Sequence, residues 1–218
     1  MGKIYQGIDG AVSGKVGQHV GRSWKGRPVL AIYQPNVANP NTSAQQIVRA
    51  RMSKLGKLSS AFMVALNEGL QFTAKKLRIT NPNVFVSRNY SEVTAQSADD
   101  VTVNYSGLKV AEGNLPEVSF GQVNFGDAQH LQISCPITGG SDQPGADDND
   151  DVYLCAYCPE KNQSVLGSPA KRSAASCAVN VPAAWDGMDV HVYGFAVSAN
   201  KVRPTASATT YCGTGEVA

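Results

Sequence analysis

Val48, Met52, Leu55, Leu58, Phe62, Leu66 and Leu70 recur at spacings of three and four. That is one face of an amphipathic helix. From Val84 onward the period vanishes, and short runs rich in Val, Tyr, Phe and Thr alternate with turn residues. A chain that changes period once, and late, predicts helix in one stretch and antiparallel strands after it. The fold class this implies is α+β.

The helix has a marked start. Thr42-Ser43-Ala44-Gln45 fits a capping box, with a hydroxyl at the N-cap and Gln three residues on. The pattern runs from Ala44 to Leu77, longer than an ordinary globular helix, so Gly56 and Gly69 are expected to divide or bend it. Asn81-Pro82-Asn83 reads as its stop, which places the helical segment at residues 41–80.

Candidate strands then follow at Val101–Tyr105, Val118–Phe125, His130–Ile137, Val152–Tyr157, Ser176–Val181, Asp189–Ser198 and Thr209–Cys212. Short strands at this spacing predict an immunoglobulin- or fibronectin-like β-sandwich over residues 84–218. Within Met188–Ala199 both alternating sets are apolar, as expected of a central strand.

Ahead of the helix lie residues 1–40, with seven glycines before position 27. Gly10 and Gly14 flank three residues, and Lys15 is followed by Val16, whereas a phosphate-binding loop needs four residues between its glycines and Ser or Thr after Lys. The dinucleotide fingerprint is missing as well. Glycines spaced by threes and fours instead permit close backbone approach, which predicts an extended arm packed against a neighbour, with a hairpin or two and one strand at Val29–Tyr33.

Charge is divided unevenly. Met1–Arg78 carries twelve Lys/Arg against two acids, and the remainder seven against fifteen. Such asymmetry suits nucleic acid near the first half, or opposite halves meeting between neighbouring subunits. The expected interface residues are Tyr5, Trp24 and Tyr33 as aromatic anchors, Lys15, Arg22, Lys25 and Arg27 as basic partners, and Asp147, Asp148, Asp150 and Asp151 on the acidic side. No apolar run approaches the roughly 18 residues of a membrane span, and the first fifteen residues lack the apolar run of a secretory leader. A soluble protein made in the cytosol, with no membrane partner, is expected.

Chemistry finds little purchase. Cys155-Ala156-Tyr157-Cys158 is a C-x-x-C, yet Cys135, Cys177 and Cys212 supply no second pair for zinc. On a strand the two thiols point to opposite faces. Asp147–Asp151 resembles the first half of a calcium loop, but Val152 and Cys158 stand where Gly and Glu are needed. His19, His130 and His191 are scattered, with no nucleophile beside them. Neither a catalytic site, a metal nor a cofactor is expected.

Met1-Gly2-Lys3-Ile4-Tyr5-Gln6-Gly7, Ser13-Gly14-Lys15-Val16-Gly17, Ser23-Trp24-Lys25-Gly26, Asn39-Pro40-Asn41-Thr42-Ser43-Ala44-Gln45-Gln46 and Glu112-Gly113-Asn114-Leu115-Pro116 form a recognisable series. It resembles an uncharacterised family of short proteins of gut Bacteroidota and their phages, including crAss-like phages. The resemblance implies a virion part, made in the host cytoplasm and placed in a ring or collar of the tail or portal region. It implies as partners further copies of the chain in a closed homo-oligomeric ring, with a dodecamer among the sizes allowed, and neighbouring tail or portal proteins. It carries over no active site. Two rivals stand beside this reading: a nucleic-acid-binding protein contacting packaged DNA through its basic half, and a bacterial surface or adhesion module.

Overall fold

The structure is a computed structural model that describes residues 3–4, 11–125, 132–139, 143–200, 202 and 204–217. It divides into two compact units, Met1–Thr42 and Ser43–Ala218.

The first unit is an antiparallel meander of β1 (Lys3–Ile4), β2 (Val12–Val16), β3 (His19–Trp24) and β4 (Arg27–Ile32), in that order. The hairpins expected within the 1–40 arm are present as β2-β3 and β3-β4, and the expected strand at Val29–Tyr33 lies in β4. The glycines explain why. Lys25 and Gly26, at φ of 47° and 77°, make the two-residue turn between β3 and β4, the left-handed pair that matches strand twist. Gly21 is buried, and a Cβ there would collide with the Val12 carbonyl oxygen. At Gly21 the close approach is to Val12 of the neighbouring strand, within the meander itself.

The second unit opens with α1 (Ser43–Ala61), α2 (Met63–Gly69), α3 (Gln71–Leu77) and α4 (Asn81–Asn89). Its first three helices are one bent run, because hydrogen bonds from the Phe62, Leu66, Leu70 and Ala74 amides to carbonyls four residues back bridge the breaks at Phe62 and Leu70. Gly56 lies inside α1 and breaks nothing. Arg78 ends the run in the left-handed conformation (φ 56°), its N–H reaching the Ala74 and Lys75 carbonyls.

Asn81-Pro82-Asn83 does not close the helical segment at 80. It begins α4. The Thr80 hydroxyl accepts from the Asn83 N–H at 3.4 Å, and Pro82 occupies the first turn, where no intrahelical N–H is needed. Buried Asn89 then donates to the Phe85 and Lys109 carbonyls and accepts from the Lys109 N–H, which ties the following loop to α4.

Strands occupy the rest of the chain. β5 (Val93–Ala95) and β6 (Val101–Val103) form a hairpin. β7 (Ser119–Phe120), β8 (Gln132–Gly139), β9 (Asp151–Cys158), β10 (Gln163–Leu166), β11 (Ala170–Lys171), β12 (Ser176–Asn180), β13 (Asp189–Val197) and β14 (Thr210–Glu216) build two antiparallel sheets. One is five-stranded, ordered β10-β9-β13-β14 with β11 also on β9; the other is three-stranded, ordered β12-β8-β7.

β9 and β13 are buried on both faces, as their doubly apolar sequences require. Cys155, Tyr157, Tyr193, Phe195 and Val197 join Leu55, Leu58, Phe62, Leu66, Leu70 and Phe85 in one core. Phe62 stacks on Tyr157 with centroids 4.7 Å apart and meets Tyr193 edge-on at 5.6 Å. Val152, Leu154, Ala156, Cys158, Val190, Val192 and Ala196 face the other way, into a second core with Ile133 and Cys135 of β8, Cys177 and Val179 of β12, and Trp185. The segments 41–80 and 84–218 thus share a core and form one unit. The apolar helix stripe is buried from Leu55 on, whereas Val48 and Met52 stay exposed. Among the described residues, no helix is long and apolar enough to cross a membrane.

Candidate functional site

Antiparallel partners that lie directly opposite share a face of the sheet. The register sets Lys15 against Val20, Arg22 against Val29, and Trp24 against Arg27. The Tyr33 N–H continues that register beyond β4, donating to the Gln18 carbonyl at 2.6 Å. Lys15, Arg22, Trp24, Arg27 and Tyr33 therefore stand on one face of the meander, with Lys25 in the turn beside them. Lys15 Nζ sits 3.7 Å from the Tyr33 ring centroid, a cation held over an aromatic face. Tyr5 lies outside the described residues.

All five described strand-face residues are exposed, and so are Val16, Leu30, Ile32 and Val37. Leu30 is 61% exposed and Ile32 68%, which for large aliphatic side chains marks a surface without its cover. The sequence signal for these positions was the run Val29–Tyr33, but an apolar run alone does not distinguish a buried strand from an uncovered one.

The acidic loop departs from expectation. Asp150 is fully buried and is not available to a docking partner. Its Oδ2 lies 3.3 Å from Arg172 Nε and accepts the Asp147 N–H; its Oδ1 accepts the Ala199 N–H at 3.0 Å. Arg172 also donates to the Pro116 carbonyl at 2.9 Å. Asp151 pairs with Lys171 at 2.7 Å, and Lys171 reaches the Asn149 carbonyl too. The Asp147 carboxylate accepts from the Asn149 backbone and side-chain amides. Asp148 is exposed. Most of this charge secures the loop to the sheet, and the calcium-like spacing is answered by a guanidinium. Among the described residues, no group of three or more His, Cys, Asp or Glu is placed to hold a metal ion.

Cys155 and Cys158 belong to different cores, on opposite faces of β9. All five cysteines are free thiols. Burial pushes the Cys155 and Cys177 thiols up to about 12, so both stay protonated and are poor nucleophiles near neutrality.

His191 of β13 has a neighbourhood that the sequence did not foretell. Its Nδ1 lies 2.9 Å from the Tyr211 hydroxyl, and its ring stacks on Tyr105 at 4.4 Å. Burial holds its pKa below the ordinary histidine value, against a smaller opposing pull from Asp189. A neutral imidazole in this position braces two tyrosines at the rim of the helix-side core.

A second charged surface lies on the helices. α1 carries Arg49, Arg51, Lys54 and Lys57 and no acid. Arg51 is engaged with Tyr90, donating to its carbonyl at 2.6 Å and lying 4.0 Å over its ring. Arg49, Lys57, Lys75, Lys76 and Arg78 are exposed.

Over residues 11–213 the chain matches the model of a protein family described as a family of unknown function, DUF6266. No curated protein and no solved structure matches it.

Proposed function

We propose that this chain, which belongs to the family of unknown function DUF6266, is a structural subunit of a phage particle that works by assembly and carries out no reaction of its own. The observation that carries this reading is the state of the first unit. Among residues 11–42 only Gly21 is buried, while Trp24, Leu30, Ile32, Tyr33 and Val37 are exposed. A small sheet that buries no apolar side chain among residues 11–42 is marginal in water, and exposed apolar surface of this kind marks a contact with another molecule.

The assembly we envisage is head-to-tail. Lys15, Arg22, Lys25 and Arg27 of one copy face the acidic surface of the next at Asp147 and Asp148, and repetition closes a ring at the tail or portal. Asp150 and Asp151 drop out of that contact, since Arg172 and Lys171 already hold them. In this reading the five- and three-stranded sheets, which share the core around Ile133, Leu154 and Trp185, are the two halves of an immunoglobulin- or fibronectin-like sandwich. The phage setting rests on the sequence motifs alone. Native mass spectrometry and negative-stain imaging of the full chain test the proposal: closed rings are expected. Monomer alone, both in isolation and mixed with tail and portal proteins, overturns it.

The exposed basic residues of α1 and α3 favour a second reading, contact with packaged DNA. It requires duplex affinity that falls steeply with salt, in proportion to the phosphates neutralised. No binding at low salt removes it.

A further inference from the structure

β4 is the outermost strand of its sheet, and all six of its residues are exposed. Its hairpin register decides which backbone groups are free. Trp24 and Arg27 close a two-residue turn, and in an antiparallel pair the positions alternate between hydrogen-bonded and non-bonded. Arg27, Val29, Ala31 and Tyr33 therefore turn their amides toward β3, as the Tyr33–Gln18 bond shows. Pro28, Leu30 and Ile32 turn theirs outward. Pro28 has no N–H to offer, so Leu30 and Ile32 are the residues with both a donor and an acceptor on the free edge.

We propose that this edge pairs, antiparallel, with β4 of a second copy, with Leu30 of each opposite Ile32 of the other and Ala31 on the twofold axis. The proposal rests on the reading above that the first unit makes assembly contacts, and it names one of them. Four observations select a second copy's β4 as the occupant. This alignment leaves no donor or acceptor of Leu30 or Ile32 unmatched, with four hydrogen bonds in all. It also sets Val29 against Tyr33 and Leu30 against Ile32, so apolar surface meets apolar surface on both faces of the joined sheet.

Charge does not oppose the contact. Arg27 falls opposite Pro35 of the second copy, which separates the two Arg27 by eight residues of strand, roughly 26 Å. The screening length at physiological salt is about 8 Å. Finally, no other described sheet edge suits the role. β5, β6, β10, β12 and β14 each carry half-buried or buried residues along their length, and β1, β7 and β11 are only two residues long. An unguarded edge of this kind is where strand addition occurs. The contact is isologous and so differs from the head-to-tail one; the two together link pairs of copies into a larger closed assembly.

The test uses the full chain. Leu30→Pro and Ile32→Pro each delete an outward N–H and leave the bonds to β3 in place, since proline is tolerated on an edge in that phase. Either substitution should raise the concentration for half-assembly on the order of tenfold, because symmetry removes two bonds at once. An orthogonal variant needs no disruption of the arm. The two Ala31 face each other at a non-bonded position, where Cα atoms lie about 4.5 Å apart, within disulfide reach. Ala31→Cys should therefore link two copies through position 31 under oxidised glutathione, as read by peptide mapping. Val29→Cys, opposite Tyr33, should not link to itself. If the wild-type chain assembles while the proline variants assemble equally well and Ala31→Cys gives no symmetric link, the β4 pairing is wrong and the assembly reading stands. A wild-type chain that stays monomeric, in isolation and mixed with tail and portal proteins, overturns both.

Discussion

Asp150 and Arg172 form an ion pair sealed from solvent, with Nε and Oδ2 3.3 Å apart and the two side chains 1% and 0% exposed. A buried pair contributes little net stability relative to a well-packed apolar replacement, but removing one partner strands the other charge. Asp150→Ala should cost about 3–5 kcal/mol in urea unfolding. Asp151→Ala, whose partner Lys171 is solvent-facing, should cost less than about 1 kcal/mol. Equal losses would contradict this placement of the loop.

Phe62 joins the helices to the five-stranded sheet through Tyr157 and Tyr193. Phe62→Ala should destabilise the second unit by about 3–5 kcal/mol. Because helices and sheet share that core, helical circular dichroism and Trp185 fluorescence should report one coincident transition. Two separated transitions would indicate independent helical and strand domains.

His191 is held neutral by burial, so its folded pKa lies below the unfolded value near 6.5. In the interval between those values the unfolded chain binds more protons, and stability rises with pH. Stability should therefore fall as pH drops below about 6.5 toward the depressed folded value. Denaturant midpoints compared between pH 7.5 and 5 should show a smaller loss in His191→Gln than in the wild type.

Cys155 and Cys177, raised to about 12, should resist alkylation in the native chain at pH 8. Iodoacetamide labelling followed by peptide mapping should find both positions modified in denaturant and spared without it.

Thr80 caps α4 through a 3.4 Å bond from the Asn83 N–H. Thr80→Ala should cost on the order of 1 kcal/mol, and Thr80→Ser should restore most of it.

What the sequence disclosed, and what it hid, follows from the range of the forces involved. Periodicity is local, so Val152–Tyr157 and Asp189–Ser198 correspond closely to β9 and β13, and the Leu55–Leu70 stripe is buried as its spacing demands. Pro82 is ambiguous locally: the same residue that ends a helix also begins one, and the Thr80 cap decides between them. Asp150 reads as surface charge in the sequence because its partner is twenty-two residues away, and no local pattern announces a cation across that span. The glycines before position 27 do not announce in sequence which strand comes close; at Gly21 it is β2, whose Val12 carbonyl leaves no room for a Cβ. His191 was scattered in sequence and acquired its partners only through the pairing of β13 with β14.

The sheet between the two cores imposes a simple rule of parity on its inner strands. Odd-numbered positions from Tyr153 to Tyr157 and from Tyr193 to Val197 answer to the helices; even-numbered ones from Val152 to Cys158 and from Val190 to Ala196 answer to the strands behind. Neighbours along the chain therefore obey unrelated packing demands. A remodelled helical layer would call for compensating changes at every second residue and leave those in between untouched.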